Sequence, residues 1–453
     1  MMGDTVAAVA TAPGRAGLAV VRVSGGEARE IGRRLGLGEL EPRRASVREL
    51  TSPADGEVLD RVVATLFPGP GSYTGEDVLE ISCHGGALAP QLVLDAALEA
   101  GARRAEPGEF TRRAFLNDRM DLLQVEATED LIDATSEAAH RAAVEQLGGG
   151  LSERVGELRE RLVRLRALVS YDIDFPGEDD GPVDPAEVEE AAAALEEELS
   201  ALLEHAPEGE MLREGALAVV AGRPNVGKSS LFNALLGDDR AIVTEEPGTT
   251  RDAIEAVVSL AGYPFRLVDT AGLREDADRI EGMGIEVARG YLERADLVLF
   301  CAEAGRELEG AERDFLRERA GDGGLVPVRT KADLADGSGA EDGTERAGVE
   351  WTRVSARTGA GLGELRERLV ERVYAGVRGR GETPLVTRRR QARALEAARE
   401  EVGRFREARR RGLPPEVAVT HVQEAGRHLE EVLGIVDTEE ILGEVFSSFC
   451  IGK

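Results

Sequence analysis

At 453 residues the chain is long enough for two to four domains, each able to bury its own core. Its formal net charge of −30 excludes a surface that binds nucleic acid broadly, because a phosphate backbone would be repelled over most of it. No apolar run approaches the roughly 18 residues of a membrane helix, and the three scattered cysteines form neither a disulfide framework nor a paired metal motif, so a cytoplasmic protein without membrane contact is expected.

Residues 1–118 mix short β-rich runs (LAVVRVSG, VVATLF, VLEISCHGG) with the helical QLVLDAALEAGA, an α+β texture. From 119 to 215 the pattern is helical. Leu151, Val155, Leu158, Leu162, Leu165 and Val169 step by four and three, one apolar stripe on a long helix. The acidic stretch DFPGEDDGPVDP breaks it, and PAEVEEAAAALEEELSALLEHA restarts it. From 216 to 376 apolar strands (ALAVVAG, AVVSL, FRLVDT, DLVLFCA, LVPVRT, TRVSA) alternate with helices, the order of a doubly wound sheet. Residues 377–453 are helical again, so the α/β module reads as an insertion into a helical body. Ten arginines and four glutamates crowd 387–412; a solvated helix face laced with i,i+4 pairs is favoured there over nucleic-acid contact.

Only three lysines stand against 53 arginines, and two of the three, Lys228 and Lys331, fall in nucleotide motifs. An arginine fork cannot replace a compact ammonium on a flexible stem. Strand ALAVVAG runs straight into GRPNVGKSS, and a helix follows: a P-loop in its proper setting. The amides around Asn225, Val226 and Gly227 are expected to curl about the phosphates, with Lys228 on the β/γ oxygens and the Ser229 and Ser230 hydroxyls at the helix start, Ser229 ligating Mg²⁺. Thr249 and Thr250 of EEPGTTRD occupy the first switch position, and Thr250 can complete the Mg²⁺ sphere. Asp269, Thr270, Ala271 and Gly272 end strand FRLVDT, with Asp269 toward the Mg²⁺ shell and the Gly272 amide toward the γ-phosphate.

Thr330, Lys331, Ala332 and Asp333 follow LVPVR. A carboxylate at Asp333 accepts both N1–H and the N2 amine of guanine, whereas adenine would leave it unpaired, so GTP is selected over ATP. Ser355, Ala356 and Arg357 match the loop that meets the guanine O6. The usual base-reading motif begins with asparagine; the shorter threonine hydroxyl predicts one lost contact to the base or the P-loop and weaker affinity. Leu273 stands where Ras-like domains place a water-orienting glutamine. Asn225 is either an oxygen ligand for a monovalent cation near the β/γ bridge or the acceptor of a local turn hydrogen bond.

GRPNVGKSSLFN, EEPGTTRD, DTAGLR and SARTGAG, followed by a terminal CIGK, resemble the MnmE (TrmE) family of tRNA-modification GTPases over essentially the whole chain. PGRAGLAVVRVSG, GPGSYTGEDVLEISCHGG and EPGEFTRRAFLNDRMDL resemble that family's tetrahydrofolate-binding domain. The resemblance implies a multidomain α/β protein: an N-terminal folate-binding and dimerisation domain (1–118), a helical domain in two parts (119–215 and 377–453) and an inserted Ras-like G domain (216–376). It implies a homodimer and a K⁺-dependent GTPase with Asn225, Thr244, Glu246 and Thr249 as K⁺ ligands and Glu281 as catalytic glutamate. Arg22, Glu80, Arg119 and Lys453 match folate-contacting positions, and Cys450 a reaction-centre position; a strand-edge ion pair is the plainer reading of Arg22 and Glu80. The implied chemistry installs an aminomethyl or carboxymethylaminomethyl group at C5 of the wobble uridine of certain tRNAs. It would use a one-carbon unit of a tetrahydrofolate (5-formyl- or methylene-) and a flavoprotein partner, MnmG (GidA), that carries FAD. GTP hydrolysis to GDP would drive conformational change. An Era- or Der-type ribosome-assembly GTPase shares the P-loop features, but neither a GxxG clamp nor a second GKS occurs.

Overall fold

The computed structural model describes residues 3–174, 184–237, 254–269, 290–319, 321, 323–334, 350–378, 386–435, 442–443, 445–446, 449 and 452. The chain divides into two compact units, residues 1–129 with 430–453, and residues 130–429.

In the first unit, β1 (Val6–Val9), β2 (Leu18–Ser24), β3 (Ser46–Thr51), β4 (Val58–Phe67), β5 (Val78–His84) and β6 (Arg103–Arg104) form one sheet in the order β3-β4-β5-β2-β1-β6. Neighbours are antiparallel except β1 and β6. The two-residue period of a strand divides each side chain between faces. Val21, Val23, Leu79 and Ile81 meet Ile31 of α1 (Ala28–Arg34) and Val93 and Ala97 of α2 (Ala89–Glu99) in a buried core. Arg22 and Glu80 must then share the opposite face, and the register sets them directly across from each other. That face carries Val6, Ala8 and Phe110, the last from α3 (Glu109–Leu116), with Tyr73 packed against them. α4 (Leu122–Asp133) offers Leu122 and Val125 to Val445, Phe446 and Phe449, which brings the end of the chain back to the first unit. Gly452, at φ +99, lies so close to β1 that a Cβ would stand 2.3 Å from the Val9 carbonyl oxygen.

The second unit begins with α5 (Glu137–Leu147), α6 (Gly150–Asp174), α7 (Pro185–Leu203) and α8 (Ala206–Glu214). All six stripe residues of α6 are buried. A second sheet follows, of β7 (Ala216–Gly222), β8 (Ile254–Leu260), β9 (Tyr263–Asp269), β10 (Leu297–Glu303), β11 (Leu325–Thr330) and β12 (Thr352–Arg353). Its order is β12-β11-β10-β7-β9-β8, parallel throughout except for the β8–β9 hairpin. Between and after these strands come α9 (Lys228–Leu236), α10 (Gly310–Glu318) and α11 (Leu362–Tyr374). Ala218, Val220, Leu299 and Val328 join one core with Leu231, Leu235 and Leu365; Val298, Phe300 and Leu325 join another with Leu308 and Leu316. The sheet is covered on both faces, as the near-continuous apolar strands require.

After the sheet come α12 (Arg389–Arg410) and α13 (Pro415–Leu433). α12 packs on α7, where Arg406 donates to Glu189 at 2.7 and 3.0 Å. Helices from before and after the sheet therefore join. At the entry and exit of the sheet Tyr374 is fully buried; its hydroxyl donates to the Met211 or Pro264 carbonyl (3.0 and 2.7 Å) and accepts from the Ala216 amide (3.3 Å). Arginines of α12 and its two caps meet carboxylates: Arg388 pairs with Asp130, Arg389 with Glu210, Arg404 with Glu400 and Glu401, and Arg411 with Glu407. This helix is the ion-paired face its sequence suggests.

Candidate functional site

β7 ends at Gly222, and the chain turns through 223–227 into α9. Positive φ at Gly222 (+144), Asn225 (+63) and Gly227 (+98) gives the loop its curl. At Gly222 a Cβ would sit 2.4 Å from the Cys301 carbonyl oxygen, so only glycine fits beside β10. Lys228 is buried at the helix start, and its ammonium donates across the loop to the Arg223 carbonyl at 2.9 Å. Asn225, Ser229 and Ser230 are exposed on the rim and Val226 is buried beneath them. Asp269, the last residue of β9, stands in register with Val220 and is buried. The arrangement sets one buried ammonium at a helix N-terminus, where free N–H groups and the helix dipole favour an anion. Burial pushes the Cys301 thiol up to about 12, against the pull of Lys228, so this sulfur is no thiolate near neutral pH.

The segment 330–333 lies beside the loop. The Thr330 hydroxyl reaches the Val226 carbonyl, with the Ala302 carbonyl at 3.2 Å as its other acceptor. Of the two contacts either of which the shorter threonine was expected to lose, to the base or to the P-loop, the P-loop one is kept: the backbone comes close enough, with Thr330 Cβ 3.7 Å from where a Gly227 Cβ would stand, for a short side chain to reach. Asp333 accepts from the Ser355 hydroxyl at 2.6 Å and pairs with Arg357 at 2.9 Å. The Ser355 hydrogen bond and then the Arg357 guanidinium hold this carboxyl below the usual carboxylate range. The Ala332 amide donates to the Val354 carbonyl at 3.0 Å, fastening the segment to the Ser355–Arg357 loop that also contains Ala356. Lys331, at φ +55, pairs with Glu303 at 3.1 Å.

In the first unit Arg22 donates twice to Glu80, at 2.9 and 3.0 Å, and its guanidinium stands over the Tyr73 and Phe110 rings (5.3 and 5.5 Å). The pair lies on two interior strands rather than at a sheet edge. Arg119 is exposed and packs against Gly75, two residues from Tyr73 in the same loop. The structure thus gathers Arg22, Glu80 and Arg119 around the loop 68–77. A cavity of about 330 Å³ lies apart from them, lined by Val9, Thr11, Gly14, Ala19, Gly85 and Gln91.

Two arginines behind this loop had no sequence signal beyond their count. Arg113 donates to Asp4 (3.0 Å), Glu76 (3.0 Å) and Glu109 (2.9 Å), and Arg103 to Asp4 and Glu109 (2.8 and 2.7 Å). Hydrogen bonds, first from Arg103 and then from Arg113, hold the Asp4 carboxyl below its ordinary range. Burial pushes Glu109 up, but Arg103, the Glu106 amide and Arg113 outweigh it and the net shift is downward. Carboxylates depressed on folding stabilise at pH above their unfolded values and lose that contribution as pH falls through the folded ones. Arg113→Ala will lower stability by about 2 kcal/mol at pH 7.5, because Glu76 loses its guanidinium partner while Asp4 and Glu109 keep only Arg103, and the difference from wild type will shrink below pH 4. Thermal unfolding of both proteins across that range checks the sign.

Thr244, Glu246, Thr249, Thr250, Thr270, Ala271, Gly272, Leu273, Glu281, Cys450 and Lys453 lie outside the described residues. Arg329, the residue before Thr330, stacks 4.3 Å from the Trp351 ring, a contact that no sequence motif marked. An arginine within the apolar run LVPVRT and the chain's single tryptophan were the available signals.

A family model described as the MnmE helical domain matches residues 122–450, and one described as the GTP-binding protein TrmE N-terminus matches residues 5–119. The tRNA modification GTPase MnmE of Salinibacter ruber is 43% identical over 458 residues, covering 99% of each chain. That of Phenylobacterium zucineum is 44% identical over 459 residues and covers 100% of both. Among solved structures, the G domain of the T. maritima FeoB iron transporter is 30% identical with a TM-score of 0.28, over 35% of this chain and 98% of that one.

Proposed function

The chain belongs to the MnmE family of tRNA modification GTPases, and from that premise we propose that its GTP hydrolysis serves C5 modification of the wobble uridine of certain tRNAs. It is a GTP hydrolase. The observation that carries the guanine assignment is the bond from Thr330 to Val226 with Asp333 held ionised beside it, since it joins base and phosphate recognition in one site. The residues present suit Mg²⁺: a hydroxyl at Ser229 on the helix start and a buried carboxylate at Asp269 are hard oxygen donors. The ion would neutralise charge developing on the β- and γ-phosphates, while Lys228 and the loop amides hold those phosphates in line.

The finer reading adds a K⁺ ion at Asn225, Thr244, Glu246 and Thr249, water orientation by Glu281, face-to-face G domains in a homodimer, and a cytoplasmic setting. It also adds a tetrahydrofolate held through Arg22, Glu80, Arg119 and Lys453, Cys450 near the reaction centre, and the FAD-bearing MnmG (GidA) as partner. Two placements support it. Asn225 is exposed at the lip of the loop, and Gly452, between Cys450 and Lys453, is seated on β1 in the unit that holds Arg22 and Glu80. Coverage of 99% or more by MnmE relatives leaves no observation that favours the ribosome-assembly alternative.

Mass analysis of wobble nucleosides in tRNA from cells lacking the protein tests the function; unchanged C5 modification would overturn it. Replacing Na⁺ by K⁺ should raise GTP turnover by about tenfold or more, as expected when a cation supplies transition-state charge. Equal initial rates in the two salts would remove the K⁺ assignment.

A further inference from the structure

Arg329 is a costly residue where it stands. It lies on β11, 3% exposed, on the sheet face that also carries Leu325 and Phe300 and is covered by Leu308. A leucine would continue that face without desolvating a charge. The guanidinium instead stacks 4.3 Å from the Trp351 ring, which in turn meets Phe300 edge-on at 6.4 Å. One nitrogen, Nη1, donates to the carbonyls of Glu303 and Arg306, at 3.2 and 3.0 Å.

Those two carbonyls belong to the connection from β10 to α10, and both ends of that connection touch the nucleotide site. At one end the Glu303 carboxylate pairs with Lys331 of the base-reading segment, and the Ala304 amide donates to the Thr330 carbonyl at 2.8 Å. At the other end Glu309 pairs with Arg306 at 2.7 Å and with Arg223 of the phosphate-binding loop. The connection is a strut between base and phosphate recognition, and Arg329 is what fixes its backbone.

We propose that Arg329, stacked on Trp351, is a positioning residue that sets guanine-nucleotide affinity by holding the 303–309 connection against Lys331 and Arg223. It touches no nucleotide itself. The proposal rests on the assignment of residues 330–333 to guanine recognition. Its effect falls on ground-state binding, shared by GDP and GTP, and not on the hydrolytic step.

Equilibrium titration of the full chain with N-methylanthraniloyl-GDP and unlabelled GTP, well below the melting temperature, tests it. Arg329→Met keeps the buried stem and removes the carbonyl donors. Both nucleotides should bind about tenfold more weakly, KM for GTP should rise in step, and kcat should stay within about twofold of wild type. Glu303→Gln should weaken binding in the same direction, and the double variant should bind no more weakly than Arg329→Met alone, because both act through one connection. Should Arg329→Met fold poorly, Trp351→Leu removes the stacking face and should weaken GDP binding about fivefold. Unchanged GDP affinity in the folded variants, or full additivity in the double variant, overturns the proposal. Failure of wild type to bind GDP would instead overturn the guanine assignment on which it rests.

Discussion

Asp333→Asn will turn the protein from a guanine binder into a xanthine binder. The Asp333 carboxylate accepts from Ser355 on one oxygen and pairs with Arg357 on the other. Each oxygen keeps a second lone pair, enough for N1–H and the N2 amine of guanine. An asparagine presents one acceptor and one donor, so its amide N–H would face the N2 amine and leave two donors opposed. Xanthine carries an oxygen at that ring position and accepts what guanine repels. Affinity for GTP should fall by about ten-thousandfold, the scale on which a site built to hydrogen-bond a group rejects the wrong one, and xanthosine triphosphate should bind in its place. Competition of the two triphosphates for the variant decides it; an unchanged preference for GTP would remove Asp333 from base recognition.

The strands that flank that segment were legible because they are local. ALAVVAG, FRLVDT and LVPVRT are apolar runs that only a sheet covered on both faces can bury, and each ends at a motif residue. The stripe from Leu151 to Val169 is equally local, one helix read at its own period. What stayed hidden depends on pairing at long separation. Arg22 and Glu80, 58 residues apart, could be read as an ion pair at a strand edge, but their place on two interior strands follows from which faces of β2 and β5 bury Val21 and Ile81, visible only once the strands are adjacent. Arg113 and Asp4, 109 residues apart, leave no trace in either local pattern. The return of Phe446 and Phe449 to Leu122 is of the same kind: three apolar residues mark a core without saying whose. Thr330 is a different case. Side-chain length was weighed, but the distance to be spanned is set by backbone approach, and that distance is short.

Lys228→Ala will cut GTP turnover by about a thousandfold with the fold intact, and Lys228→Arg will not restore it. Removing one preorganised charge from a site of phosphoryl transfer costs on that scale, since nothing rearranges to replace it. The helix N-terminus and loop amides remain in the alanine variant and still attract phosphate, so binding should weaken less than hydrolysis. The arginine variant is the sharper test in a chain that uses arginine almost everywhere else. Lys228 sits 6% exposed under the loop with its ammonium on the Arg223 carbonyl, and Cys301 lies close enough to feel its charge. A planar guanidinium is larger than that space and spreads its charge over a fork, so it must either push the loop outward or turn away from the β/γ oxygens. Single-turnover hydrolysis, read beside the unfolding midpoint of each variant, separates lost chemistry from lost structure. Recovery of turnover in Lys228→Arg would mean that charge alone, and not the shape of the ammonium, is what the loop requires.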